Sequence, residues 1–374
     1  MKKVGIVLYP TFGGSGVVAT ELGKALARMG HMVHFITYKL PVKLDQFLPN
    51  VHFHEVRVSD YPLFEYQPYE FVLASKMVDV AKFEQLDLLH VHYAIPHASS
   101  AYLAKQILEA EGIHLPVITT LHGTDITLVG KDSSFEPVIT FAINQSDAVT
   151  AVSQSLKEDT YSHFNITKDI DVIPNFICPD DYVDCDPQLR SQFAKNGEKI
   201  LIHVSNFRKV KRVEDVVRVF SRVKEKIPSV LLLVGDGPER HRIEEICRAN
   251  KNCHEIHFIG KTKDTEHLMA VADLFLLTSE FESFGLAALE SMASKVPVIS
   301  TNKGGIPEVM IDGVTGYMCN VGDIDDMTEK ALRILSDPVL RENLRISSYK
   351  RALDFELSKV LPKYLDLYNR VLEQ

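Results

Sequence analysis

Short apolar runs alternate with amphipathic stretches along the whole chain. In the first half, the runs suited to buried strands are Val4–Tyr9, Met32–Thr37, Val51–Val58, Leu88–Tyr93, Val117–Leu121 and Ala148–Val152. Between them, apolar residues recurring every three to four positions predict helices over Val17–Met29, Tyr69–Phe83, His97–Glu109 and Pro137–Gln145. Gly30, directly after Met29, supplies a helix stop. The second half repeats the pattern, with strands expected at Ile200–Val204, Val230–Val234, Ile256–Ile259, Leu274–Leu277 and Val298–Ser300. Its helices are expected at Val213–Lys226, Pro238–Asn250, Thr265–Ala272, Gly285–Ala293 and Ile324–Ser336. Near-continuous apolar strands separated by helices imply a parallel sheet covered on both faces. The predicted fold class is therefore α/β, with two Rossmann-like, doubly wound domains facing across a cleft. Their bounds are 1–170 and 171–351, followed by an amphipathic tail, 352–374, expected to cross back to the first domain. Ile173-Pro174-Asn175-Phe176 and the Pro- and Asp-rich stretch from Pro179 to Pro187 read as the hinge.

Length and composition fit this picture: 374 residues suggest two domains, and 45% apolar with 24% charged residues is ordinary for a soluble protein. A net charge of −9 argues against a nucleic-acid partner. The five cysteines (Cys178, Cys185, Cys247, Cys253 and Cys319) are odd in number, scattered and without a C-x-x-C pair, which points to reduced thiols, a cytoplasmic location and no structural zinc. Lys2-Lys3 followed by Val4–Tyr9 is too short for a leader and ends at Pro10, so a first strand is expected there. No apolar run approaches the ~20 residues that span a bilayer. Homo-oligomerisation stays open.

The chemistry-bearing motifs each follow an expected strand, where such sheets bind ligands. Gly13-Gly14-Ser15-Gly16 lets backbone N–H groups approach an anion, but it is not G-x-G-x-x-G, and Thr37-Tyr38-Lys39 stands where a dinucleotide fold carries its acidic residue. A nicotinamide cofactor is thereby disfavoured. Tyr93 is either a donor to a substrate carboxylate or hydroxyl, or a packing residue of the cleft wall. His97 is expected only to cap its helix. His122, in Thr120-Leu121-His122-Gly123-Thr124-Asp125, is poorly explained as core filling and is expected to hydrogen-bond a sugar hydroxyl or a developing charge, with Asp125 orienting it or capping the next segment. Ser205 to Arg212 carries four cations in five positions, of which Arg208 and Lys211 are suited to neutralising a diphosphate leaving group. Val234-Gly235-Asp236-Gly237-Pro238 reads as a turn, and Lys303 to Glu308 as a loop lining the cleft or a structural turn. Finally, Glu282-Ser283-Phe284-Gly285 with Glu290 sets two carboxylates eight positions apart across a loop-to-helix junction, within reach of different parts of one extended ligand.

Together and in this order, these motifs resemble the retaining glycosyltransferases of family 4, which have the GT-B fold; the resemblance covers essentially the whole chain. It implies that Glu282 contacts sugar hydroxyls and Glu290 the nucleotide ribose, and that Ser283, Phe284, Gly285 and Leu286 face the sugar or diphosphate, together with Gly14, Ser15, Gly16 and Asn206. One departure stands out. The family's G-R-x(4)-K becomes Ser205, Asn206 and Lys211 here, with Arg208 the candidate substitute for the usual Arg. That departure, with Tyr9-Pro10, His90 to Ala98 and Thr120 to Thr127, is similar to members that transfer N-acetylglucosamine from UDP-GlcNAc to the hydroxyl of L-malate, the first step of bacillithiol biosynthesis. The resemblance then implies catalytic roles for His122, Glu282, Arg208 and Lys211, and acceptor contacts from Ser15, Tyr93, Thr120, Asn206 and Arg208. No cofactor is expected, UDP-GlcNAc being a substrate. No D-x-D stands at a metal position, and Asp180-Asp181 falls in the hinge, so metal-independent transfer is expected. Another soluble or lipid acceptor, and a UDP-GlcNAc 2-epimerase of the same architecture, are the alternatives.

Overall fold

The computed structural model describes residues 1–11, 13–44, 47–58, 67–128, 132–249 and 254–373. The chain divides into two compact units, Met1–Asn175 with Leu357–Gln374, and Phe176–Glu356. In the first, β1 (Lys3–Val7), β2 (Met32–Thr37), β3 (Val51–Glu55), β4 (Leu88–His92), β5 (Val117–Leu121), β6 (Ala148–Ala151) and β7 (Ile170–Val172) pair in the order β3-β2-β1-β4-β5-β6-β7. In the second, β8 (Lys199–Val204), β9 (Ser229–Val234), β10 (Ile256–Gly260), β11 (Leu274–Leu277), β12 (Val298–Thr301) and β13 (Gly316–Cys319) pair in the order β10-β9-β8-β11-β12-β13. Every pairing is parallel. Each order reverses beside the unit's first strand, between β1 and β4 and between β8 and β11. At such a switch point the connections depart to opposite faces and leave a crevice at the strands' carboxyl ends.

The strands β4, β5, β9 and β11 are buried along their whole length, as helices on both faces require. The helix Val213–Lys224 shows how the sequence achieves this. Val213, Val216, Val217, Phe220 and Val223 form one buried stripe, Glu214 and Asp215 stand in the first turn, and Arg222 and Lys224 stand in the last, matching the helix dipole.

Several bounds differ from the sequence reading. β1 stops at Val7 rather than Tyr9 and β3 at Glu55 rather than Val58, while β4 stops at His92 because Tyr93 turns to φ +88°. The first helix starts at Gly14, so Gly14, Ser15 and Gly16 form its first turn rather than a loop before it. The expected helix Pro238–Asn250 runs Arg240–Ala249; Asn250 and Cys253 lie outside the described residues. The helix expected over Thr265–Ala272 ends at Ala270. The strands β7 and β13 and the helices Gln154–His163 and Pro338–Ala352 were not among the expected elements. The helix Gln154–His163 buries only Leu156 and Thr160, so no apolar stripe announces it; its start is fixed by Ser153 Oγ accepting from the Leu156 N–H at 3.0 Å.

The helix Leu357–Leu372 packs into the first unit. Tyr364 and Tyr368 are fully buried, the Tyr368 hydroxyl meets His90 Nδ1 at 2.7 Å, and Lys2 Nζ donates to Asn369 Oδ1 at 2.8 Å. Among the described residues no helix is long and apolar enough to cross a membrane.

Candidate functional site

In the first unit, the segments leaving β1, β4 and β5 meet at the switch point. Gly13 caps the helix Gly14–Arg28 without a side-chain hydrogen bond. Gly16 is dictated by space, since a Cβ there would stand 2.4 Å from the Tyr9 carbonyl oxygen. Ser15 Oγ and the Tyr93 hydroxyl are 2.6 Å apart, so these two expected acceptor residues are brought together. Thr120 is different. It is fully buried, with its hydroxyl 2.7 Å from His90 Nε2 and 2.7 Å from Thr150 Oγ1, and it belongs to the wall rather than the surface of the crevice.

His122 sits at the end of a stack of imidazoles. Its ring lies over His92 at 5.1 Å, and His92 lies over His90 at 4.5 Å. The His92 Nδ1 and His122 Nε2 atoms are 2.8 Å apart. Burial pushes His90 and His122 down to about 3 and His97 to about 4, and holds His92 well below its ordinary value. All four are therefore neutral at neutral pH, and one of the facing nitrogens of His92 and His122 donates to the other. His97 does not cap a helix; its Nδ1 donates to the His92 carbonyl oxygen, and its ring lies 4.5 Å from that of Tyr9. Asp125 acts on the backbone around His122 rather than on its ring. Its buried carboxylate accepts from the N–H of Ala94 at 2.8 Å and of Gly123 at 3.0 Å, tying the segment after β4 to the segment after β5.

In the second unit, the basic segment after β8 meets the acidic segment after β11. Lys211 Nζ donates to Glu282 Oε1 at 2.6 Å, and Ser279 Oγ donates to the same oxygen at 2.6 Å. Both partners of the ion pair are largely buried, at 19% and 13% side-chain exposure. Arg212 is turned away from this junction, with its guanidinium on Asp215 at 2.6 Å and Glu280 at 3.2 Å, so it braces the helix start. Arg208 and Asn206 are exposed, and Arg208 forms no ion pair among the described residues. Ser205, at the family's Gly position, lies 2.7 Å from Nε2 of buried His203, whose Nδ1–H donates to the Leu276 carbonyl oxygen at 2.8 Å. His203, lowered to about 4 mainly by burial, is neutral and accepts from the Ser205 hydroxyl.

The loop after β12 clamps the Glu282 segment. Gly305 N–H donates to the Glu282 carbonyl oxygen at 2.8 Å, and a Cβ on Gly304, at φ +66°, would fall 2.0 Å from that oxygen. The turn at Gly285 (φ +96°) then starts the helix Leu286–Ala293, with Phe284 buried behind it, Ser283 half-buried and Glu290 half-buried inside the helix. Burial, and then the charge of Glu290, push the hydroxyl of Tyr182 far above its ordinary range. Sequence reasoning noted His92 only as the neighbour of Tyr93 and missed Ser279 and Tyr182. Only Ser279 left a local signal, a hydroxyl three residues before Glu282.

Two family models match the chain, one described as Glycosyltransferase Family 4 over residues 12–181 and one as Glycosyl transferases group 1 over residues 186–351. The N-acetyl-alpha-D-glucosaminyl L-malate synthase of Bacillus anthracis is 49% identical over 379 residues, covering 99% of this chain and 97% of that protein. Sucrose-phosphate synthase from Thermosynechococcus elongatus superposes with a TM-score of 0.82 at 21% identity, over 100% of both chains. Anabaena HepE in complex with UDP and glucose gives 0.82 at 18% identity, over 99% of this chain and 100% of that one. At these identities the two structures establish the shared fold alone.

Proposed function

The chain belongs to glycosyltransferase family 4, with the GT-B fold, and from that premise we propose that it moves N-acetylglucosamine from UDP-N-acetylglucosamine to the hydroxyl of L-malate. The observation that carries this reading is the near-full-length identity of 49% to the Bacillus anthracis synthase. In the reaction the bond from the anomeric carbon to the UDP oxygen breaks, and a bond from that carbon to the malate hydroxyl oxygen forms on the same face. The malate proton passes to the leaving phosphate oxygen, and the product is α-configured.

We assign the donor to the second unit. Glu290 receives the ribose, Glu282 the sugar hydroxyls, and the segment Ser283–Leu286 offers backbone donors to the sugar and diphosphate. Lys211 and Arg208 stabilise the departing UDP. This assignment is supported by the Lys211–Glu282 ion pair, which fixes both groups before substrate arrives, and by the exposure of Arg208. Gly14, Ser15 and Gly16 are assigned to the diphosphate and acceptor. Malate, a dianion, is given to Ser15, Tyr93, Asn206 and Arg208, with the 2.6 Å Ser15–Tyr93 contact supporting a paired hydroxyl donor. His122, kept neutral by burial, serves as a hydrogen-bonding group to the transferred sugar rather than as a cation.

The test is UDP release from UDP-N-acetylglucosamine with and without L-malate, with the product analysed by mass and NMR. Malate-dependent release with an α-linked product is expected. Malate-independent release indicates hydrolysis or epimerisation and overturns the reading, and a β-linked product overturns the front-face step.

A further inference from the structure

The edge of the first sheet carries a set of imidazoles that sugar transfer does not use. The strand β3 reads Val51-His52-Phe53-His54-Glu55, and its parallel register with β2 sets His34 beside His52 and Ile36 beside His54. The two-residue alternation of a strand puts His34, His52 and His54 on one face. The rings of His34 and His52 stack at 4.9 Å, those of His34 and His54 lie 5.2 Å apart, and His34 Nδ1 stands 3.0 Å from His54 Nε2. The helix Tyr69–Glu84 packs over this face through Leu73 and Met77 against Ile36, and its last residue brings a carboxylate to the imidazoles. One ligand atom from each of His34, His54 and Glu84 lies within 4.8 Å of the other two.

We propose that His34, His54 and Glu84 form a binding site for a divalent transition-metal ion of the zinc type, which joins the edge strand β3 to the end of the helix Tyr69–Glu84. Two imidazoles and one carboxylate are a donor set that suits zinc and its first-row neighbours and leaves a further coordination position open. The 3.0 Å between the facing nitrogens is close to the ~3.3 Å that separates two ligands on a tetrahedral ion with bonds of about 2.0–2.1 Å. The facing nitrogens, His34 Nδ1 and His54 Nε2, share one hydrogen bond, which the ion would replace. Nε2 of His34, which is fully buried, and Nε2 of His52 are both buried with no hydrogen-bond partner. Glu84 ends its helix, where the dipole already concentrates negative charge, so its carboxylate is better placed beside a cation. The charged groups that face the imidazoles besides Glu84 are Lys3 and Lys76. Lys3 Nζ is engaged by the Glu84 carbonyl oxygen at 2.8 Å, leaving the carboxylate for another partner. The ion's role here is to tie two elements together, away from the loops that carry the transfer residues.

The experiment is equilibrium dialysis of the full chain against Zn²⁺, read by elemental analysis, with Co²⁺ as a visible-absorption probe of the coordination sphere. Binding of one ion per chain is expected, with affinity reduced at least about tenfold in His54→Gln and in Glu84→Gln. Both positions are half-buried, and circular dichroism verifies that each variant is folded. Zn²⁺ should raise the melting temperature of the parent chain and of neither variant, while the rate of malate-dependent UDP release changes less than about twofold. Absence of binding in the parent chain, or undiminished binding in both variants, overturns the proposal. The latter result would place the ion on other histidines or cysteines.

Discussion

Replacing Lys211 by Met tests whether the contact between the two loops of the second unit serves the reaction or only the fold. At 2.6 Å the pair's Coulomb attraction is about 6 kcal/mol with an effective dielectric of 20, and desolvation of two largely buried groups offsets more than half of it. The variant leaves Glu282 largely buried with the Ser279 hydroxyl as its remaining hydrogen-bond partner among the described residues, so a loss of about 2–3 kcal/mol in stability follows. Glu282→Gln in the same chain removes the stranded charge and should restore most of that stability. Activity should behave differently. If Lys211 also meets the charge that grows on the departing diphosphate, its loss lowers kcat by about 10²–10³, the magnitude associated with one preorganised electrostatic donor. The double variant, regaining stability, should not regain that rate. Malate-dependent UDP release gives the rates, and denaturant unfolding of the same preparations gives the stabilities. A Lys211→Met enzyme that unfolds more easily but keeps kcat within about threefold would refute the catalytic part and leave Lys211 as a strut for Glu282.

Three further outcomes are expected. His90, His97 and His122 bind protons less readily folded than unfolded, so stability is at its full value above about pH 6.5. It should fall steadily as the pH drops from there toward the folded values of about 3 to 4, because each of these buried histidines must take up a charge that the fold disfavours. Calorimetry at pH 8, 6.5 and 5 checks this, and a melting temperature unchanged between 6.5 and 5 contradicts it. Gly304→Ala, whose Cβ would meet the Glu282 carbonyl oxygen at 2.0 Å, should displace Glu282 and reduce kcat/KM by about tenfold or more; a fully active variant would show that the clamp is dispensable. Tyr368→Phe removes the hydroxyl on His90 Nδ1 and should cost about 1–3 kcal/mol of stability, while enzyme assayed well below its melting temperature keeps near-normal kcat. A large kcat loss under those conditions would show that the buried network tunes the imidazole stack itself.

The chain's periodicity carries the fold class because buried parallel strands and amphipathic helices leave opposite signatures, as Leu274–Leu277 and Val213–Lys224 illustrate. Periodicity cannot register elements that do not build an apolar face. β13 is four residues beginning with glycine, and the helix Gln154–His163 presents almost no stripe. The site was partly legible for a related reason. Residues such as His122, Lys211 and Glu282 stand out locally, because a polar group directly after a buried strand has no packing role. Which partner each one takes depends on tertiary approach. The pairing of Lys211 with Glu282 spans 71 positions, and that of His92 with His122 spans 30. The same limit explains Asp125, whose backbone partners Ala94 and Gly123 come from two different strand ends, and Thr120, whose hydroxyl is consumed by neighbours that only the sheet order brings together.

The helix Leu357–Leu372 gives the first unit an unusual dependence on biosynthetic order. Its buried tyrosines are translated only after residues 176–356 have been made, an interval of roughly 10–40 s at ribosomal speeds of about 5–20 residues per second. During that time the side of His90 that Tyr364 and Tyr368 later cover has no native lid, so the nascent first unit is an incomplete globule until its distant last helix arrives. Premature termination within 357–372 would therefore injure the amino-terminal half of the protein, where the histidine stack resides, rather than the segment next to the cut.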